Sequence, residues 1–359
     1  MNQIKTCPAG RAPYAGGGHF VTRNRFAWSQ TEVCADQRED HREAQYMSRW
    51  DRRPRRALLI LLVLFFATAV QAQSHPISGD QVYKLTEQFL AAAPQRFANS
   101  PGHAKAEEFL KSQFLPEAAK GNVETDAFTP TTPNGPVTMR NYIVRYPGKK
   151  DGIIVLATHY ETNYPLKDIS FVGANDGACT SALLIAIGHY LREHPPTGYS
   201  IWLVFDDGEE AIKEWTDRDS LYGTRHLAAK WSNDGTLKRI KAFLLADMIG
   251  DKDLNIDYVG NSTPWLNDAL KQAAKTTGHS NAIFKNSYPD GISDDYVPFL
   301  QRGVPVLDLI DSDDGPHTSA MPDGYHHTAQ DTIDKLSPKS LQTSADLFME
   351  LIHLINQRP

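Results

Sequence analysis

Cysteine is nearly absent, with three in 359 residues. Cys7 and Cys34 precede residue 47, and only Cys179 lies beyond it. Residues 73–359 therefore close no intrachain disulfide, and a segment of that length buries enough apolar surface to hold without one. Cys179 falls on the flank of an expected helix and reads as a small buried apolar residue rather than a nucleophile. Other signatures are missing too. There is no Gly-x-Ser-x-Gly elbow, no phosphate-binding glycine loop and no dinucleotide fingerprint, which removes the commonest serine-hydrolase, nucleotide and NAD chemistries. Between Pro76 and Pro359 there is no linker, repeat or low-complexity stretch, so residues 73–359 read as one catalytic domain.

Long apolar runs are also lacking, with one exception. Residues 57–70 are apolar throughout apart from Thr68, and Arg52, Arg53, Arg55 and Arg56 precede them. The run falls short of the about 20 residues a membrane span needs. A basic region, a short apolar core and then Val70-Gln71-Ala72 match a secretory signal over residues 47–72, cleaved after Ala72. Met47 suits the start of such a signal. Residues 1–46 lack hydrophobic periodicity and read as an unstructured upstream extension. Export to a periplasm or medium is the expectation, and an uncleaved run would instead anchor the chain to a membrane. Residues 1–72 carry 11 of the 37 Lys and Arg and 6 of the 43 Asp and Glu, which leaves the remainder at a net −11. Such an acidic surface argues against nucleic acid and anionic membranes as partners.

What is present is an alternation of apolar runs and amphipathic stretches. Strands are expected at 141–146, 152–158, 199–205, 241–246 and 304–310. Helices are expected at 81–93, 104–115, 178–193, 220–230, 265–277, 295–302 and 338–356. Several of the strands are continuously apolar, as when helices cover both sheet faces. The pattern predicts a three-layer α/β/α sandwich around a mixed, largely parallel sheet. His159, Glu209, Asp247 and Asp311 each fall just past an apolar strand, at the edge where open α/β sheets place ligands.

Val204-Phe205-Asp206-Asp207-Gly208-Glu209-Glu210 is the most informative of these junctions. Adjacent carboxylates point in different directions, so one can bind a metal while its neighbour stays free as a base. Crowded acids after a buried strand also need a cation or a proton to relieve them. Asp176, in Gly173-Ala174-Asn175-Asp176-Gly177, and the His326-His327 pair supply further donors. Asp, Glu and His together make a three-ligand set that leaves one tetrahedral position open, as in catalytic zinc. Taken singly, Asp176 also suits a helix N-cap and Asp294 a helix cap, Trp215 suits packing, and either histidine suits a surface loop. His159 and Asp247 fit a second metal position or a hydrogen-bonding shell around the first.

Longer blocks narrow the choice. Phe205 to Ala211, Trp215, Asp219-Ser220-Leu221-Tyr222-Gly223-Thr224-Arg225-His226-Leu227-Ala228, Ser293-Asp294-Asp295-Tyr296-Val297-Pro298-Phe299-Leu300 and Arg302 to Leu307 resemble the glutaminyl-peptide cyclotransferases. The resemblance spans roughly residues 80–355 and places the chain in the zinc-aminopeptidase-like superfamily. It implies one Zn2+ held by Asp176, Glu210 and His327, and Glu209 as the proton shuttle. It makes Asp247 and Asp294 acidic partners of that shuttle, and Trp215 a wall of the substrate pocket; His326, where the animal enzymes carry tryptophan, is a candidate second wall residue. The reaction implied closes the N-terminal glutamine of a peptide or protein to pyroglutamate and releases ammonia. There are further departures from the animal enzymes. Gly177 stands where they have serine and Asp308 where they have histidine, and their disulfide near the zinc aspartate is absent. A zinc aminopeptidase, mononuclear or dinuclear, is the competing expectation, because His159, Asp176, Glu210, Asp247 and His327 could hold two ions.

Overall fold

The computed structural model describes residues 75–319 and 321–358; the expected leader at 47–72 and the extension before it lie outside the described residues. Strands in chain order are β1 (Val123–Phe128), β2 (Thr131–Thr132), β3 (Gly135–Pro136), β4 (Met139–Tyr146) and β5 (Lys150–His159). They continue with β6 (Tyr199–Asp206), β7 (Ile240–Asp247), β8 (Ile256–Val259), β9 (Ile283–Tyr288) and β10 (Val306–Ile310). The helices are α1 (Gly79–Ala92), α2 (Pro101–Gln113), α3 (Leu115–Ala119) and α4 (Cys179–Glu193). After these come α5 (Tyr222–Asn233), α6 (Pro264–Thr277), α7 (Val297–Leu300) and α8 (Pro338–Gln357).

Six strands form the central sheet in the order β1-β4-β6-β5-β7-β10. β5 runs parallel to β6 and β7, and β10 parallel to β7, while β4 is antiparallel to both β1 and β6. Side chains alternate between two cores, as the two-residue period of a strand requires. Ile154, Leu156, Leu203, Phe205, Leu244 and Ala246 pack on one side against α1, α4, α6 and α8. Ile153, Val155, Ala157, Val204, Phe243 and Leu245 pack on the other against Leu227 and Trp231 of α5 and Phe299 of α7. Both faces are therefore covered, and the expected three-layer sandwich forms.

Helix starts follow local chemistry. Ser78, Ser100 and Ser337 accept hydrogen bonds from backbone N–H groups in the first turns of α1, α2 and α8, the usual N-cap device. Pro101 and Pro338 then occupy positions whose N–H has no helical partner. The helix expected at 104–115 therefore begins three residues earlier than its apolar periodicity, at the Ser100-Pro101 cap. Leu221 takes a left-handed backbone (φ 51°) and delays α5 to Tyr222. The expected helix at 295–302 contracts to the single turn α7. Four parallel strands end on one rim: β5 at His159, β6 at Asp206, β7 at Asp247, and β10 just before Asp311.

Candidate active site

The loop after β6 is bent by Gly208, whose φ of 79° and tight setting exclude a side chain, since a Cβ there would lie 2.5 Å from the Met139 sulfur. Tyr222 N donates to Gly208 O (2.6 Å) and Leu221 N to Glu209 O (2.8 Å), so the start of α5 holds the loop in place. The Asp219 carboxylate accepts from the backbone N–H of Ile212, Lys213 and Glu214 and from the Tyr222 hydroxyl. The block from Trp215 to Ala228 thus fastens the segment that carries Trp215 to the segment that carries the two glutamates.

Asp176 lies in the turn Ala174–Ala178, with non-helical φ −82° and ψ 91°. It does not cap α4, which starts without a side-chain cap. His327 has a positive φ of 54°, and its ring lies against that of His326, centroids 3.8 Å apart and planes tilted by 31°. Its Nε2 lies 3.0 Å from Glu210 Oε1 and 3.5 Å from Asp176 Oδ2. His159 Nε2 sits behind this set, 3.0 Å from Asp176 Oδ1 and 3.5 Å from Asp247 Oδ1. Asp176, Glu209, Glu210, Trp215, Asp247, Asp294, His326 and His327 all line one cavity of about 350 Å³, together with Met248, Ile292, Ser293, Ile310 and Ser312. The expected site residues reach that cavity except His159, which is buried behind Asp176, and Asp311, which faces away from it and accepts from Asn255 N. A larger cleft of about 570 Å³, lined by Asp251, Asp311, Asp313 and Tyr325 among others, contains of them Asp311 alone and no histidine.

His327 and the two carboxylates it faces are spaced to share a cation. Zinc bonds of about 2.0–2.2 Å put ligand atoms roughly 3.3–3.5 Å apart, close to the separations of His327 from Glu210 and Asp176. Asp176 Oδ2, His159 Nδ1 and Asp247 Oδ1 are buried and take part in no hydrogen bond, the situation a bound cation relieves. Asp176 also shares two donor sets whose atoms lie mutually within 4.8 Å, one with His326 and His327, the other with His159 and Asp247.

Burial and neighbouring charges shift several of these groups. Burial, and after it the charge of Glu210, pushes the Glu209 carboxyl well above its ordinary range. Burial followed by Asp247 and Asp295 does the same to Asp294. Burial works against the charge of His327, yet Glu210 and Asp176 hold it up to about 9. Burial and then Asp294 push up Asp308, one of the departures, whose two carboxyl oxygens have no hydrogen-bond partner.

Several neighbours were not visible in the sequence. Asn163 donates its amide to Glu210 Oε2 (2.6 Å), and Glu161 Oε1 accepts from Glu210 N (3.1 Å). Both follow His159 on the loop leaving β5, so their place after a buried strand was the available signal. Asp331 accepts from the N–H groups of Asn175 and Asp176. Arg96 donates to four carbonyls around Asp176 and carried no signal at all.

The fold is that of the zinc exopeptidases. The sequence pattern of peptidase family M28 matches residues 141–352. A glutaminyl-peptide cyclotransferase-like protein of Bos taurus is 30% identical over 273 residues, which cover 68% of this chain and 68% of that protein. The glutaminyl-peptide cyclotransferase of Boiga irregularis is 31% identical over 277 residues, 68% of this chain and 75% of its own. The crystal structure of an Acidobacteriales bacterium glutaminyl cyclase is 70% identical with a TM-score of 0.78, covering 79% of this chain and 96% of that one. The chain belongs to peptidase family M28 and, within it, to the glutaminyl cyclases.

Proposed function

We propose that this chain is a zinc-dependent glutaminyl-peptide cyclotransferase, acting on peptides and proteins that begin with glutamine. The observation that carries the reading is one cavity in which Glu209 lies beside Asp176, Glu210, His327 and the half-exposed Trp215, in a chain 70% identical to a bacterial glutaminyl cyclase. Its volume, about 350 Å³, is at the small end of ligand pockets, suited to one terminal residue with the rest of the peptide outside. Asp176, Glu210 and His327 would hold one Zn2+, which supplies a Lewis acid for the substrate's γ-carbonyl oxygen. The nucleophile is the substrate's own α-amine, already tethered to the carbon it attacks.

Glu209 takes one proton from that amine as its nitrogen bonds to Cδ, the carbonyl carbon of the side-chain amide. The same carboxyl returns the proton to the amide nitrogen as its bond to that carbon breaks, so the leaving group departs as neutral ammonia. A base that must also serve as an acid needs a raised pKa, and burial beside Glu210 provides it. Asp294 and Asp247 border the same cavity and share the proton load. Trp215 and His326 form walls against which the glutamine side chain is held. The expected export belongs to the same proposal, and among the described residues no helix is long and apolar enough to cross a membrane.

Purified protein incubated with a Gln-initiated and an Ala-initiated peptide tests the reaction. Loss of ammonia from the first, with the second unchanged, is the expected result; loss of a whole residue from either marks an aminopeptidase. Treatment with a chelator should abolish turnover and added Zn2+ should restore it. Full activity in protein shown by elemental analysis to be metal-free would overturn the metal assignment.

A further inference from the structure

Arg96 is fully buried and donates no hydrogen bond to a carboxylate. Its Nε reaches Tyr160 O at 2.6 Å, Nη1 reaches Val172 O at 2.6 Å, and Nη2 reaches Gly173 O at 2.9 Å and Asp176 O at 3.2 Å. Three of these carbonyls belong to the turn that carries Asp176 and its approach, and the fourth follows His159. On the donor side of the same turn, the buried Asp331 accepts from Asn175 N at 2.7 Å and from Asp176 N at 3.2 Å. Ala174 N adds a bond to Asp331 O at 3.4 Å. The peptide groups on both sides of Asp176 are thus fixed by two ionisable side chains, one taking its carbonyls and the other its N–H groups. Gly177 completes the arrangement: its φ is 89°, and a Cβ would meet His159 Cε1 at 2.9 Å and Arg96 Nη2 at 3.3 Å.

We infer that Arg96 and Asp331 are positioning residues that clamp the Asp176 turn and thereby set the cavity's affinity for its metal ion. The inference rests on the reading of Asp176 as a ligand. Wide backbone bonds, Ala178 N to Gly173 O and Cys179 N to Ala174 O, close the turn but leave Asp176 with non-helical dihedrals, so the aim of its carboxylate depends on side chains from elsewhere. Two physical effects of Arg96 oppose each other. Its positive charge beside a cation disfavours metal, whereas its four hydrogen bonds keep Asp176 aimed. A guanidinium spends its donors in a rigid planar fork that no other side chain reproduces, and removing such outer partners weakens metal sites about 10–100-fold. Positioning therefore outweighs charge, and the sign of the change in affinity decides between them.

The test is zinc affinity measured by chelator competition on Arg96→Met, Arg96→Lys and Asp331→Asn, with the visible spectrum of the Co2+-loaded forms. Thermal unfolding of the metal-free proteins is recorded separately. Folded variants should bind Zn2+ about 10–100-fold more weakly and show an altered Co2+ spectrum, with Arg96→Lys falling between wild type and Arg96→Met. Unchanged or tighter zinc binding in a folded Arg96→Met protein overturns the proposal, as does failure of all three variants to fold without metal, which would make the clamp a requirement of the fold. If only Arg96→Met fails to fold, the zinc affinities of Arg96→Lys and Asp331→Asn decide by the same criterion. Asp176→Asn serves as the comparator: wild-type zinc affinity there would remove the ligand reading itself, whatever Arg96 does.

Discussion

Glu209 and Glu210 are adjacent in the chain yet meet different surroundings. Glu210 is held by the Asn163 amide at 2.6 Å and lies 3.0 Å from His327, so both of its oxygens are engaged on the ligand side. Glu209 has its carboxyl pushed up by burial first and by Glu210 second, the condition for a proton carrier. Glu209→Gln should keep its zinc and lose roughly 10²–10⁴-fold in turnover, the span of general acid–base catalysis. Glu210→Gln should lose zinc. Metal content by elemental analysis beside kcat checks both, and the opposite pairing of results reverses the two roles. The departures also act at this scale. Gly177 leaves no room for the serine of the animal enzymes in its present backbone, and Asp308 offers a buried carboxyl with unpaired oxygens where they carry histidine.

At the scale of elements, the Asp207–Glu210 loop is braced from behind as well as from α5. His103, in the first turn of α2, places Nε2 2.8 Å from Asp207 Oδ1, while Arg140 N donates to Asp207 Oδ2 at 2.6 Å. Burial lowers the His103 pKa, but the charge and hydrogen bond of Asp207 and the nearby Glu107 outweigh it, and the net shift is upward. A group with a raised folded pKa stabilises the fold fully below its unfolded value, about 6.5 for histidine, and loses that contribution as pH rises through the folded value. His103→Gln should therefore destabilise by about 3 kcal/mol at acidic pH, the low end for breaking a buried pair, because Asp207 retains its backbone donor. Denaturant melts across pH should show the gap between wild type and variant closing as pH rises, and a gap that widens would contradict the pairing. Elements also show what could be read beforehand. β5, β6, β7 and β10 were legible because parallel strands under two helix layers are continuously apolar. β1 was not: Val123-Glu124-Thr125-Asp126-Ala127-Phe128 is an edge strand with only Asp126 buried, so it has no apolar run to find. Ligand candidates were legible because they end strands or sit in glycine-rich turns. Arg96 was not, because its partners are backbone carbonyls 64 to 80 residues away, and a carbonyl leaves no mark in a sequence.

For the whole molecule, the remaining question is where the mature chain starts, and the proposed chemistry supplies its own probe. Residues 47–72 carry the features of a cleavable export signal and lie outside the described residues, as does Gln73. Cleavage after Ala72 would expose Gln73 as the N-terminal residue, a substrate for the reaction assigned to Glu209. The nearest described residues, from His75 on, lead into α1, and His75 Nδ1 lies 2.8 Å from Asp346 of α8. The protein recovered from an exporting host should begin at residue 73, with that residue present as pyroglutamate. Spontaneous closure also occurs, so wild type and Glu209→Gln must be produced side by side and their intact masses followed over time. A shortfall of one ammonia that develops faster in the wild type is the expected outcome and ties the modification to the enzyme. Equal rates in both would remove self-modification while leaving the cleavage site supported, and exported protein that still carries residues 47–72 would refute cleavage and make the chain membrane-anchored.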